Sequence, residues 1–145
     1  MEEEVKETTP FDLIGNTKGR PLGLVFHPEG YLVVADAIKG LLKVTMQGEV
    51  TVLSTESEGV PFKFVDDVAV SADGRFAYFS DASSKFDLNS YVLDVLEHGP
   101  NGRLLQYDFQ TGETKTLLSG LQFANGVTIS KAGVPKGYRP QIAVD

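Results

Sequence analysis

One pattern occurs three times in this chain, and it constrains the fold more than any other feature. Its middle copy runs from Phe64 to Asp81: an apolar run Val68-Ala69-Val70, a turn Ala72-Asp73-Gly74, and a second apolar run Phe76-Ala77-Tyr78-Phe79-Ser80 ending on Asp81. Upstream, Pro21-Leu22-Gly23-Leu24-Val25-Phe26, the turn His27-Pro28-Glu29-Gly30 and Tyr31 to Asp36 repeat it; downstream, Phe123 to Gly133 repeats the first half. Gly23 to Gly30, Asp67 to Gly74 and Gly126 to Gly133 are each seven residues apart, and the copies, counted from Leu24, Val68 and Val127, start 44 and then 59 residues apart. Tandem self-similarity on this scale means repeated supersecondary units rather than one continuous core.

Each unit reads as four short strands. Leu24 and Phe26 alternate with Gly23 and Val25, the turn at Gly30 reverses the chain, and Tyr31 to Ala35 is an apolar run rich in β-branched residues, which together predict a hairpin. Leu41-Leu42-Lys43-Val44 follows Gly40, and Met46-Gln47-Gly48 turns it into Glu49 to Leu53. The second unit continues the same way with Arg103 to Tyr107, a turn at Gln110-Thr111-Gly112 and Glu113 to Leu118. Its extra length lies in Ser83 to Asn101, where Leu88, Val92 and Val95 or Leu96 recur at helical spacing after a cap at Asn89 or Ser90, so a short helix or structured loop is expected there.

Antiparallel four-stranded units of about 40–50 residues in tandem are the signature of a β-propeller, which closes with about four to eight blades. The expected fold is therefore all-β, a β-propeller fragment of two to three blades from a six-bladed ring. Residues 1–18 are polar and acidic and read as a flexible lead-in, in which Phe11, Leu13 and Ile14 suit a short docked strand. Residues 19–131 form the partial propeller. Residues 132–145 read as a divergent tail, because Pro135 and Pro140 fall where the repeat demands a central strand. The expectation is a piece of a longer chain, since two blades leave sheet faces and edges uncovered.

With 41% hydrophobic and 23% charged residues the composition is that of a globular domain. A net charge of −7, with 13 scattered basic residues, argues against nucleic acid and anionic membranes as partners. No apolar run approaches the roughly 20 residues of a spanning helix, and Met1-Glu2-Glu3-Glu4 is acidic where a signal peptide is basic. There is no cysteine, hence no disulfide, zinc thiolate or thiol nucleophile.

The candidate chemistry lies where the repeats superpose. Leu22, Asp66 and Asn125 share one position, the loop entering the first strand of each unit, and first strands line a propeller's channel. Asp66 and Asn125 would project oxygens into one mouth, suited to Ca²⁺, which gathers six to eight oxygens from separate segments. The competing reading makes both of them turn residues bonded to their own backbone. Asp36 and Asp81, at the ends of the second strands, read as turn caps. His27 and His98 lack a recognisable nucleophile spacing and read as solvated loop histidines.

Phe76-Ala77-Tyr78-Phe79-Ser80-Asp81-Ala82-Ser83-Ser84-Lys85-Phe86, Asn101 to Asp108 and Gly120 to Val127 resemble the conserved region of plant strictosidine synthase-like proteins, relatives of the animal adipocyte plasma membrane-associated protein. With Arg20 to Leu24 the similarity covers residues 19–131. The resemblance implies a six-bladed propeller with its site at the channel mouth, a small-molecule substrate, and either amine–aldehyde condensation of the tryptamine–secologanin type, in alkaloid biosynthesis, or ester and lactone hydrolysis. In the calcium-dependent lactonase relatives channel asparagines hold the metal; Asn125 matches one and Asp66 stands where another has Asn. Leu22 stands where paraoxonase-type lactonases carry a catalytic histidine, and leucine transfers no proton. The family's general-base glutamate belongs to a late blade outside this sequence, so no catalytic residue is assigned and the chain alone is expected to be inactive. The alternatives are a non-catalytic binding propeller and a truncated product without activity. The resemblance implies the secretory pathway or vacuole as compartment.

Overall fold

A computed structural model of the chain describes residues 12–130 and 142–144. The first blade is β1 (Pro21–Phe26), β2 (Leu32–Asp36), β3 (Gly40–Val44) and β4 (Val50–Ser54), hydrogen-bonded in that order and antiparallel throughout. A small hairpin, β5 (Glu56–Ser57) with β6 (Val60–Pro61), then leads to the second blade. That blade is β7 (Val65–Val70), β8 (Phe76–Asp81), β9 (Gly102–Asp108) and β10 (Thr114–Leu121), with α1 (Tyr91–Glu97) inserted between β8 and β9. β11 (Val127–Ile129) pairs with β12 (Ile142–Val144) and starts a third. The proline-bearing stretch 131–141, read as unsuited to a central strand, lies outside the described residues, and the strand partner of β11 comes after it.

β1, β7 and β11 lie side by side as the innermost strands. The main core fills the seam between blades: Val33, Ala35 and Leu41 from the first pack on Val65, Val68, Ala77, Phe79, Leu105 and Tyr107 of the second. Burying an aliphatic or aromatic side chain of this size stabilises by roughly 1.5–3 kcal/mol, so the seam is a major source of stability for both blades. The turn glycines behave as the repeat requires. Gly30 and Gly74 both have positive φ, +88° and +71°, which a side chain resists.

Two expectations change. Ile14 does dock, against Leu32, Val34, Leu42 and Val44, but residues 12–17 form no strand, and Leu13 points to solvent. The helix starts after Ser90 as expected, although Ser90 donates to Asp87 Oδ1 at 2.9 Å instead of capping the helix. Its inward contact is Asp94, which accepts bonds from Ser83 Oγ and, at 3.1 Å, Asn101 Nδ2. Val92, Val95 and Leu96 are exposed, and Leu88 reaches a separate small core around Phe64 from outside the helix.

His27 is a correction: it is buried. Its Nδ1 accepts the Glu29 N–H at 3.1 Å, which leaves Nε2 to donate to the Gly74 carbonyl at 2.8 Å in the other blade. The ring stacks on Tyr31 at 4.3 Å and meets the edge of Phe109 at 4.8 Å. A turn facing water in one blade faces a neighbour in a propeller. His27→Ala is expected to cost about 2 kcal/mol in urea unfolding, since it leaves the Gly74 carbonyl unpaired and opens a gap under Tyr31. His98, by contrast, is exposed at the C-terminal end of α1.

Candidate functional site

Bulges shape the inner strands. Along β7, Val65 pairs with Asp81 and Val68 with Phe79, three steps against two; along β1, Pro21 pairs with Asp36 and Gly23 with Ala35. The extra residue falls at Leu22 in the first blade and at the Asp66-Asp67 pair in the second. A bulge redirects the side chains it carries, which is why bulges gather at sites.

The two adjacent carboxylates then have different surroundings. Asp67 sits between the neighbouring inner strands: its Oδ2 accepts the Val127 N–H of β11 at 2.9 Å, and on the other side the backbone of β1 passes so close that a Cβ on Gly23 would lie 2.7 Å from Asp67 Cα. Asp66 is half-buried, and no described donor bonds its carboxylate. Burial first, and the Asp67 charge second, push its carboxyl up to about 6.

Asn125 is fixed through its backbone. Ser80 Oγ donates to the Asn125 carbonyl at 2.5 Å and accepts the Asp67 N–H at 3.2 Å, so one buried hydroxyl ties β7, β8 and the chain leading into β11 together. The Asn125 side chain is exposed and, like that of Asp66, bonds nothing described. Neither residue makes the self-bonded turn that was the competing reading. Ser80 thus links the backbone at Asp67, the neighbour of Asp66, to the backbone at Asn125. Leu22 is partly exposed at the matching place on β1. Sequence reasoning missed Asp67 and Ser80; the signal for Asp67 was its shared register with two glycines, Gly23 and Gly126, which leave room for one acid between them.

Asp36 caps the turn after its strand as expected, whereas Asp81 caps no turn and shares with Asp36 only the bond to the chain entering the neighbouring first strand. Asp36 Oδ1 accepts the Arg20, Ile38 and Lys39 amides, each at 2.9 Å, while Oδ2 takes Thr17 Oγ1 at 2.7 Å; these bonds outweigh burial and hold its carboxyl below the usual range. Asp81 Oδ1 accepts the equivalent Phe64 amide at 2.9 Å, and its Oδ2 pairs with Arg103 Nη2 at 2.6 Å in the interior.

Two consecutive four-stranded antiparallel blades and the start of a third define a β-propeller. A crystal structure described as a gluconolactonase superposes with a TM-score of 0.60 at 19% identity, over 79% of this chain and 39% of that one, which supports the fold. The family model for strictosidine synthase matches residues 63–134. Strictosidine synthase-like protein 7 of Arabidopsis thaliana is 53% identical over 116 residues, 79% of this chain and 31% of its own length. Human adipocyte plasma membrane-associated protein is 48% identical over 118 residues, 79% of this chain and 28% of its own length. The chain belongs to the strictosidine synthase-like family and spans about a third of the length of the curated relatives it matches. No helix among the described residues is long and apolar enough to cross a membrane.

Proposed function

We propose that this chain is the part of a strictosidine synthase-like propeller that holds a Ca²⁺ ion at the channel mouth through Asp66 and Asn125, beside a small organic substrate. Bound there, the ion would polarise a carbonyl or ester oxygen, which suits ester or lactone hydrolysis better than amine–aldehyde condensation. The observation that carries this reading is the Asp66 carboxylate, half-buried, unbonded and beside a second carboxylate. Such a group costs stability when ionised, and a hard cation offsets that cost. The donor set is hard oxygen, with an amide oxygen from Asn125, and fits calcium. Among the described residues no cluster of three or more acidic or imidazole side chains forms, so the two residues supply part of a coordination sphere. A second reading, a binding propeller without chemistry, draws support from Leu22, whose side chain cannot move a proton.

Calorimetric titration of the chain with Ca²⁺ tests the assignment. Asp66→Ala should abolish binding and Asn125→Ala should weaken it about tenfold; if neither change weakens binding, the assignment fails. The pH dependence has a definite sign. The folded carboxyl of Asp66 is raised from 3.8 to about 6, so the folded chain binds the proton more tightly than the unfolded one. Stability of the metal-free chain therefore falls as pH rises through that window, and Asp66→Asn should flatten the fall and add about 1 kcal/mol at neutral pH, after allowance for solvent screening. Calcium competes with the same proton and should bind more weakly below about pH 6.

A further inference from the structure

The insertion that carries α1 leaves and rejoins the second blade against the two segments that lead to Asp66 and Asn125. It leaves at Ala82, whose N–H donates to the Phe64 carbonyl at 2.8 Å. It returns at Gly102, which packs so closely on the other segment that a Cβ there would lie 2.8 Å from the Ala124 nitrogen. Between these points Tyr91, the first residue of α1, reaches both segments at once. Its ring centre lies 5.7 Å from that of Phe64 and 6.1 Å from that of Phe123, and those two rings are 5.5 Å apart, tilted separations at which aromatic rings attract. Phe64 and Phe123 each stand two residues before a candidate ligand, Asp66 and Asn125. The first blade serves as an internal control. Its equivalent residue is Arg20, which is exposed, and only Ala37, Ile38 and Lys39 join its second strand to its third. The aromatic ring occurs where the insertion is there to receive it.

The insertion is braced from within. Asp94, one turn along α1 and buried, accepts bonds from Ser83 and Asn101, residues at the two ends of the insertion. Ser83 Oγ in turn accepts the Lys85 and Phe86 amides at 3.1 and 2.9 Å, and the Asn101 carbonyl accepts the Ser84 amide at 2.9 Å. Phe64 is equally fixed, buried with its amide on Asp81 and its carbonyl on Ala82. Phe123 is the member under strain. Its φ is +46°, a left-handed backbone that a bulky aromatic residue keeps only where its surroundings impose it. The rings of Phe64 and Tyr91 are the surroundings that meet its side chain.

We propose that Tyr91 is a positioning residue, which holds Phe123 in its left-handed turn against Phe64 and so aims Asn125 at the ligand it shares with Asp66. This rests on the reading of Asp66 and Asn125 as an oxygen pair for a hard cation. The role needs the ring of Tyr91 and not its hydroxyl, which bonds nothing described. Without the ring, Phe123 relaxes to a negative φ, and the peptide that carries Asn125 turns about the Ser80 bond to its carbonyl. Asp66 stays where the bulge of β7 puts it, and the pair of oxygens loses its spacing.

Two readouts test this, at a temperature where circular dichroism shows every variant folded. In the metal-free chain, positive φ at Phe123 gives a strong intraresidue nuclear Overhauser effect between the amide proton and Hα. Tyr91→Ala, which keeps a good helix former at the start of α1, should weaken that effect and shift the side-chain amide resonances of Asn125. Tyr91→Phe, which keeps the ring, and Leu96→Ala, on the exposed side of the same helix, should change neither. In calorimetric titration with Ca²⁺, Tyr91→Ala should raise the dissociation constant about tenfold, as loss of a residue that orients a metal ligand does, and Tyr91→Phe should bind as the unsubstituted chain does. Added to Asn125→Ala, Tyr91→Ala should cost less than about twofold more, because the residue it acts through is already gone. A Phe123 Overhauser effect that survives Tyr91→Ala overturns the proposal. So does a loss of affinity equally large in Leu96→Ala, or one fully additive with Asn125→Ala. An unsubstituted chain that binds no calcium, while Phe123 and Asn125 respond to Tyr91→Ala as stated, sinks the cation assignment and supports the positioning of Asn125 by Tyr91.

Discussion

Asp81→Ala is expected to destabilise the chain by about 3–5 kcal/mol, the largest loss from any single side-chain truncation in the second blade. The Asp81 carboxylate is fully buried and the Arg103 side chain nearly so, their oxygen and nitrogen 2.6 Å apart. Arg103 also donates to the carbonyls of Val60 and Pro61 and lies 5.5 Å from the Phe62 ring centre, and its Nε has no described partner. Removing the carboxylate leaves a guanidinium in the interior with only carbonyl dipoles around it. It also leaves the Phe64 amide without its acceptor. Burial is the largest influence on the Asp81 carboxyl and pushes it up, against the pull of Arg103 and the Phe64 N–H. The pair is therefore no great stabiliser as a pair, and the loss comes from breaking it one-sidedly. Urea unfolding checks this: Asp81→Ala with Arg103→Leu should recover part of the loss, and a double variant as unstable as the sum of the two singles would show that the residues act independently.

The same clasp shows what can be read from residues in a row. That Asp36 and Asp81 end equivalent strands was legible from register alone, and so was the turn cap of Asp36, which is local to the residues that follow it. That Asp81 also takes an arginine, through a strand 22 residues on and past a helical insertion, was not. His27 failed for a related reason. Its environment is set by a turn 47 residues away in the next blade, and periodicity within one unit says nothing about the seam between units. The helix was found by its apolar spacing, yet the insertion is pinned by the polar bonds of Asp94 and leaves Val92 and Leu96 exposed.

On the inner strands, superposing the repeats singles out Asp66 and Asn125, whose side chains bond nothing described. It could not separate Asp66 from Asp67. Two adjacent acids look alike in a sequence, and a bulge decides which one braces the strands and which one is left with a bare carboxylate. The brace is the structural role and belongs to Asp67.

That division of labour makes Gly23→Ala the sharpest test of the inner ring. A Cβ there would lie 2.7 Å from Asp67 Cα and 2.9 Å from the Asp66 carbonyl oxygen, both backbone atoms that no rotamer change can move. β1 and β7 would have to part along the seam that carries the main core, so the loss should be about 3 kcal/mol or more, at the upper end for overpacking. Gly126 is the control. It has the same register in the third blade, on the other side of Asp67, but a Cβ there would come no nearer than 4.0 Å to Asp67 Oδ2, an ordinary contact. Gly126→Ala should therefore change stability by less than about 1 kcal/mol. The two variants should also differ in calcium titration. Gly23→Ala displaces the strand that presents Asp66 and should weaken binding even at temperatures where the chain stays folded, while Gly126→Ala leaves Asp66 and the Ser80 bridge in place. Equal stability losses from the two glycines would mean that Asp67 is not wedged against β1, and that the inner strands are spaced by something other than the Gly23–Asp67 contact.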